Sequence, residues 1–215
     1  ATRRLLVALI SHGFIEQSAE TKKYRLGQGF LRLARVREAT VPMAAAAQEV
    51  ADWLSEEVKE TVHISVPAGS CMATLAHRLP HKGNVINISP GEQLFYHATA
   101  AGFAYMAFAT DQTLTRVLGL KRTSVTAKTP TAKADILALI KQTRRDGYAR
   151  SRNTFEDGVA SVAMPFFLGQ PDPAGTISIA VPASNMDDAR RAELLPFLKQ
   201  GIARMEQSLT GHITA

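Results

Sequence analysis

The sequence predicts an α+β chain in two parts: a basic helix-and-hairpin segment at the front, then a larger domain of mostly antiparallel sheet flanked by helices. Three observations predict it. Residues 1–40 hold eight Lys/Arg and three acidic residues, a net +5, whereas residues 41–215 contribute only +1 to the formal charge of +6. The apolar spacing is largely helical before residue 60 and changes there to a period of two. From that point strand-like and helix-like runs succeed one another to the end. At 215 residues, with 46% hydrophobic and 20% charged residues, the chain has room for one large domain, or a small and a medium one, with a real core.

Composition narrows the function classes. No apolar run approaches the length of a membrane span, and the first residues lack the zones of a secretory leader. A single cysteine, Cys71, excludes an internal disulfide framework and a thiolate metal cage. A cytoplasmic protein without a cofactor is the simplest expectation.

The front segment comes first. Leu5, Leu6, Leu9 and Ile10 share one side of a helix and predict a buried stripe. Arg4, Ala8 and Ser11 fall opposite, Arg3 lies at the edge, and Gly13 ends the helix. "FIEQ" and "KKYRL" are two short strands around "SAET". A helix whose outer face begins with arginines, followed by a ribbon carrying Lys22, Lys23 and Arg25, has the layout of a winged helix. Such a helix fits a major groove, and the ribbon cations reach the neighbouring backbone. Charge this local points to a polyanion, because neutralising phosphates releases counterions.

"GFLRLARVREA" is a short connector helix, and "VPMAAAAQEVADWLSEEV" a further helix with Pro42 near its first turn. "ETVHISV" then alternates Val62, Ile64 and Val66 against Thr61, His63 and Ser65. "PAGS" is a turn, "CMATLAHR" the returning strand and "NVINIS" a third strand. "HATAAGFAYMAFA" starts a helix of small residues, suited to close backbone approach, and "DQTLTRVLG" is a short helix closed by Gly119. In "TAKADILALIKQTRRDG" Ile136, Leu139 and Ile140 form an apolar side, and basic residues fill the last turns before Gly147. "YARSR", "VASVAMPFFL" and "GTISIAVP" are strands, the last two a hairpin through "GQPDPA". The chain closes with a long helix that starts at a Ser/Asn cap and carries Pro196 as a bend or break. Six short strands with helices before, within and after them have the order of a GAF-type small-molecule sensor domain.

These stretches resemble the IclR family of bacterial transcription regulators along essentially the whole chain. "RRLLVALISHGFIEQSAETKKYRLG" is similar to the end of the family's DNA-binding domain, where a recognition helix R-L-L-x-x-L is followed by H-G-F/Y-L and a wing ending in Y-R-L-G. "ETVHISV" resembles the first strand of the effector domain, and "HATAAGFAYMAFA" its H-x-T-A-x-G-K-A-x-L-A helix. "RRDGYARSRNTFEDGVASVAMPFF" resembles its R-x-x-G-Y-A … E-x-G-V-x-x-(I/V)-A-x-P stretch, and "GTISIAVP" its A-x-(I/L)-S-(I/V)-S/A strand.

The resemblance implies a partial winged helix-turn-helix over residues 1–28, a linker helix over 29–40 and a GAF-like effector domain over 41–215. It also implies about two further helices ahead of Ala1 in the natural protein. The implied function is a ligand-responsive regulator that binds a double-stranded DNA operator, works as a homodimer or homotetramer and takes a small organic acid effector. Thr2, Arg3, Arg4, Lys22, Lys23 and Arg25 are the implied DNA contacts. The implied effector site comprises Ala100, Ala101 and Gly102 at the helix start, Ser151, Ser161, and Ser178 with Ala180. Several positions depart from the family pattern. Ser151, between Arg150 and Arg152, replaces an acid; Ser161 stands where many members have Cys; Ala180 lacks a second hydroxyl. Phe103 replaces a usual Lys or Arg, with a side chain able to face outward. Backbone N–H groups at the helix start attract an anion and the serines donate to it. Loss of the acid and of a hydroxyl leaves room for a carboxylated ligand larger or more apolar than glyoxylate or pyruvate, aromatic acids included.

Other functions are weaker. His77 and His81, spaced H-x3-H, lack a nearby acid or thiol for a metal. His63 and His97 are isolated and fit hydrogen-bonded structural histidines. Cys71 fits a small core residue; no base or oxyanion site accompanies it as a nucleophile. Glu156 and Asp157 are adjacent, so their side chains point apart, and a turn before Gly158 accounts for them. No P-loop or dinucleotide fingerprint occurs. A stand-alone sensor without DNA activity remains the alternative, and an enzyme on a GAF-like sheet a weaker one. In the full-length protein, Lys23→Ala is expected to weaken binding to all duplex sequences alike and to reduce the slope of log K against log salt by about one, measured by salt-titrated gel shift.

Overall fold

The computed structural model of the protein describes residues 2–40, 43–81, 86 and 92–213. Pro42, and "NVINIS" apart from Ile86, lie outside the described residues, and Ile86 is in no strand. The chain divides into two compact units, Ala1–Met43 and Ala44–Ala215.

The front unit is α1 (Thr2–Ser11), β1 (Ile15–Gln17), β2 (Tyr24–Leu26) and α2 (Gly29–Thr40). Gly13, at φ 71°, turns the chain out of α1 in the left-handed conformation that glycine adopts without strain. β1 and β2 pair antiparallel with Glu16 opposite Arg25, and Phe14 meets Phe30 edge-on at 5.2 Å, which fixes the ribbon to α2. The expected buried stripe of α1 is only half realised. Leu6 and Leu9 are half-buried, but Leu5 is 62% and Ile10 39% exposed. Two short helices and a three-residue-strand ribbon offer too little apolar surface to enclose four large side chains.

The rear unit begins with α3 (Met43–Val58) and continues through β3 (Thr61–Ala68), β4 (Cys71–Arg78), α4 (Ala100–Phe108), α5 (Asp111–Leu118), α6 (Lys133–Asp146), β5 (Ala149–Arg152), β6 (Val159–Phe166), β7 (Gly175–Pro182) and α7 (Asp188–Ile213). Five strands form one antiparallel sheet in the order β4-β3-β7-β6-β5. The β3–β4 pairing shifts between Ile64 and Ser65, so that Leu75 of β4 is passed over. On one face Ile177 meets Leu54 and Val50 of α3 across Gly201 of α7. The opposite face carries His63, Ser65, Ser178 and Ala180, and the start of α4 lies over it.

Side-chain bonds fix the helices. The Arg190 guanidinium donates to the Val58 carbonyl and the Glu60 carboxylate, each at 2.8 Å, and joins α7 to the α3–β3 turn. The Arg204 guanidinium sits 4.0 Å from the Trp53 ring centre. The Thr99 hydroxyl caps α4 by accepting from the Gly102 N–H at 3.0 Å.

Several expectations are corrected. Phe103 does not face outward: it is 1% exposed, because all but one residue of α4 is buried. The cap of α7 is Asp187, whose carboxylate accepts from the Arg190 N–H at 2.7 Å, while Ala183–Asn185 form a separate 3-10 turn. Pro196 lies inside an unbroken α7. Cys71 is half-buried rather than a core residue.

Gly102 packs its bare Cα against the backbone of Tyr96: an added Cβ would lie 2.2 Å from the Tyr96 carbonyl oxygen. Gly201 has room, with its nearest contact at 3.4 Å from Leu54. Gly102→Ala is therefore expected to destabilise the fold by at least about 2 kcal/mol, whereas Gly201→Ala is expected to stabilise it by about 0.5 kcal/mol through helix propensity. Denaturant unfolding of the two variants checks both signs.

Candidate functional site

The antiparallel register lays out the floor of the site. One row across the sheet runs His77, His63, Ser178, Ala163 and Ala149; the next runs Thr61, Ala180, Ser161 and Ser151. Above these rows lies a cavity partly open to solvent, with about 60 Å³ of space for the centres of water-sized spheres. Its largely apolar lining with a few convergent polar groups is that of a small-molecule site. The start of α4 forms one wall, and Leu94 and Ile86 add apolar surface. The loop Thr154–Glu156 forms another wall. The Thr154 hydroxyl donates to the Ala98 carbonyl at 2.6 Å, and the Thr129 hydroxyl donates to the Thr154 carbonyl at 2.7 Å, so this loop is tied to the entry of α4.

The structure brings Ala100, Ala101, Ser151, Ser161, Ser178 and Ala180 together on this cavity. Gly102 is not on its wall: its N–H is used by Thr99 and its Cα faces Tyr96. Ala100 and Ala101 stand in the first turn of α4, where an N–H has no partner within the helix. Their amides and the helix dipole suit an anion. Ser151 and Ser161 hydroxyls lie 2.7 Å apart and share one bond, so one O–H of the pair remains to give. The Ser178 hydroxyl donates to the His63 carbonyl at 3.3 Å. Neither arginine beside Ser151 lines this cavity. Arg150 lies 3.7 Å from Asp146, and Arg152 donates to the Ala183 carbonyl at 2.7 Å. The mouth carries Glu156, whose carboxyl is raised above its usual range by burial and by Glu92.

The sequence reading missed His63 and Ser65. The alternation of their strand assigned neither residue to the site, and His63 was expected to be a hydrogen-bonded structural histidine; Thr61 through Ser65 are all buried. His97 has the expected structural partner, the Thr123 carbonyl at 3.0 Å. His63 does not: it is 3% exposed and, among the described residues, neither ring nitrogen has a hydrogen-bond partner. Its ring stacks on His77 at 6.0 Å. Burial, and then the charge of His77, push its pKa down to about 4, so it is neutral at pH 7. His81 faces the Arg78 guanidinium at 3.0 Å, and no metal-binding cluster occurs among the described residues.

The implied DNA contacts lie in the front unit. Arg3 and Arg4 are exposed on α1, and Lys22 and Lys23 are exposed at the ribbon tip. None of these four has an ion pair among the described residues. Arg25 is partnered by Glu16 at 2.8 Å while remaining largely exposed. The side chain of Thr2 lies outside the described residues.

A helix with a basic ribbon joined to a GAF-like domain with an enclosed cavity defines a sensor-regulator architecture. The family model described as bacterial transcriptional regulator IclR, C-terminal, matches residues 39–205. The chain belongs to the IclR family of transcriptional regulators. It is 28% identical over 207 residues to the HTH-type transcriptional regulator XynR of Escherichia coli, covering 95% of this chain and 82% of that protein. It is also 28% identical over 200 residues to the Pca regulon regulatory protein of Pseudomonas putida, covering 90% and 66% of the two. Among solved structures, an IclR transcriptional regulator from Silicibacter sp. superposes with a TM-score of 0.90 at 33% identity, covering 97% of this chain and 82% of that one. An IclR homologue of Microbacterium hydrocarbonoxydans complexed with 4-hydroxybenzoate shares the fold, with a TM-score of 0.78 at 19% identity over 97% of this chain and 85% of that one.

His63 makes stability depend on pH. Free histidine titrates near 6.5, whereas the folded protein refuses the proton down to about 4. Between these values the unfolded chain binds the proton and the fold does not, so stability falls as pH drops from 6.5 towards 4, by up to about 3 kcal/mol. Urea unfolding across this range is expected to show a steeper loss for the natural protein than for His63→Gln, and parallel curves above pH 7.

Proposed function

We propose that the protein is a ligand-responsive, DNA-binding regulator of a metabolic or catabolic operon, whose cavity takes a small carboxylated metabolite. The observation that carries this reading is the meeting of the Ala100 and Ala101 amides with the Ser151–Ser161 pair on one largely apolar cavity. The carboxylate accepts from the helix amides and from the spare serine O–H, while Leu94, Ile86 and Ala180 receive its apolar body. The 4-hydroxybenzoate bound by the Microbacterium homologue supports an aromatic acid as a candidate.

In this reading residues 1–28 are the recognition helix and wing, 29–40 a linker helix, and 41–215 the effector domain. Arg3 and Arg4 meet the groove or its edge, and Lys22, Lys23 and Arg25 the flanking phosphates. Thr2 joins them at the start of the helix. Leu31, Leu33 and Val36, each more than half exposed on α2, fit contacts in a homodimer or homotetramer. The protein acts in the cytoplasm, where its operator lies. A stand-alone sensor is separated from this reading by a gel shift of the full-length protein on its own upstream region.

Calorimetry with a panel of glyoxylate, pyruvate and aromatic acids tests the cavity. At least one aromatic acid is expected to bind more tightly than glyoxylate. Ser161→Ala is expected to weaken that acid by about fivefold, the cost of one hydrogen bond to a charged group. Glyoxylate binding more tightly than every aromatic acid would overturn the proposed ligand class.

A further inference from the structure

We propose that His63 and Ser65 form a second polar subsite on the cavity floor, which receives a hydroxyl group carried by the ligand at the end remote from its carboxylate. The inference rests on the carboxylate reading above and sharpens it: the effector class is hydroxylated carboxylic acids, not plain acids or dicarboxylates.

His63 and Ser65 both line the cavity. They are 3% and 0% exposed. Among the described residues, both ring nitrogens of His63 and the Ser65 hydroxyl oxygen lack a hydrogen-bond partner. Leaving such groups unpaired away from water is costly, because each gives up its hydrogen bonds to solvent and gains none in return. Their neighbours do not relieve them. The Ser178 hydroxyl is directed to the His63 backbone carbonyl, not to its ring, and His77 offers its ring face. Three unpaired polar atoms on two alternate residues of one strand, both facing the cavity, make a place for a polar group from outside the chain.

The chemistry of the pair selects that group. A neutral imidazole has one N–H to give and one nitrogen to accept, and the serine hydroxyl does both. A ligand hydroxyl, itself donor and acceptor, can meet whichever His63 nitrogen faces the cavity and the Ser65 hydroxyl together, donating to one and accepting from the other; a keto oxygen can only accept. A second carboxylate is disfavoured because His63 is neutral at pH 7 and, among the described residues, no Lys or Arg lines the cavity. An ammonium group finds no carboxylate beside His63, since Glu156 stands in the loop wall with an exposed side chain. The spacing also fits. His63 and Ser161 are separated by one intervening strand and one step along the sheet, about 12 Å between backbones. Once the side chains are in place, that gap accommodates one ring or a short aliphatic chain between the carboxylate and the hydroxyl.

The test uses the full-length protein and matched probes: benzoate with 3- and 4-hydroxybenzoate, butyrate with 4-hydroxybutyrate, and terephthalate as the dicarboxylate. Calorimetry is expected to show at least one hydroxy acid binding about tenfold tighter than its parent, with terephthalate weaker than either. His63→Leu and, independently, Ser65→Ala are expected to reduce that preference to about threefold or less while leaving the parent acid's affinity nearly unchanged. Ser65→Ala removes one atom and keeps the test open if His63→Leu does not fold. His63→Gln, which restores a donor and an acceptor, is expected to recover part of the preference. Equal binding of hydroxy acid and parent, or a preference that survives both substitutions, overturns the subsite and leaves the carboxylate reading standing. Failure of every acid to bind overturns the carboxylate reading and the subsite together.

Discussion

The rear unit depends on one constraint: the polar face of its central strands is buried. A strand with Thr61, His63 and Ser65 on one side and Val62, Ile64 and Val66 on the other would ordinarily show the first set to water. Here the start of α4 and the tethered loop Thr154–Glu156 cover it. The covering is possible because α4 opens on the small residues Ala100, Ala101 and Gly102, and because Gly102 allows its first turn to touch the Tyr96 backbone. A desolvated polar floor under a helix start follows directly, and with it a cavity that is apolar by area but has a few unsatisfied polar groups. That is the composition of a site for a small, partly polar ligand.

The same covering decides the electrostatics. Among the described residues the cavity lining has no cationic side chain, so an anion held by them would depend on backbone amides and hydroxyls rather than on a salt bridge. The arginines next to Ser151 are spent on carbonyls and Asp146 outside it. His63 is neutral because burial makes its cation expensive. In the proposed reading, affinity for an acid is set by how well a carboxylate meets the first turn of α4. Selectivity falls to the floor residues that face the rest of the molecule.

The front unit follows a different rule. Among the described residues Arg3, Arg4, Lys22 and Lys23 are exposed and have no ion pair, and Arg25 is held by Glu16 while largely exposed. Its apolar residues are also largely exposed. Leu5 and Ile10 on α1, and Leu31, Leu33 and Val36 on α2, have more surface than this small unit can enclose. Helical spacing identified which of these share a face, but spacing contains no information about what covers a face.

Much of the architecture was legible in local pattern. Helix periods, the change to a period of two, the glycine turns at Gly13 and Gly147 and the strands Thr61–Ala68, Cys71–Arg78, Ala149–Arg152, Val159–Phe166 and Gly175–Pro182 reflect interactions within a few residues, and these survive in the fold. The serines of the site were legible through family likeness, not through physics, since a serine in a strand has many uses. The errors lie where distant segments meet. Phe103 was read as able to face outward and is buried; Asp187, not the Ser/Asn pair, caps α7; Pro196 leaves that helix unbroken. His63 is the sharpest case. Its alternation was read correctly, yet whether its side met water or a cavity depended on a helix some forty residues away in the chain. By itself the sequence determined which residues share a face and where the charge lies, because those are set by backbone geometry and composition. Only the tertiary structure decided which faces are dry, because burial is a property of the segments that come to lie on top.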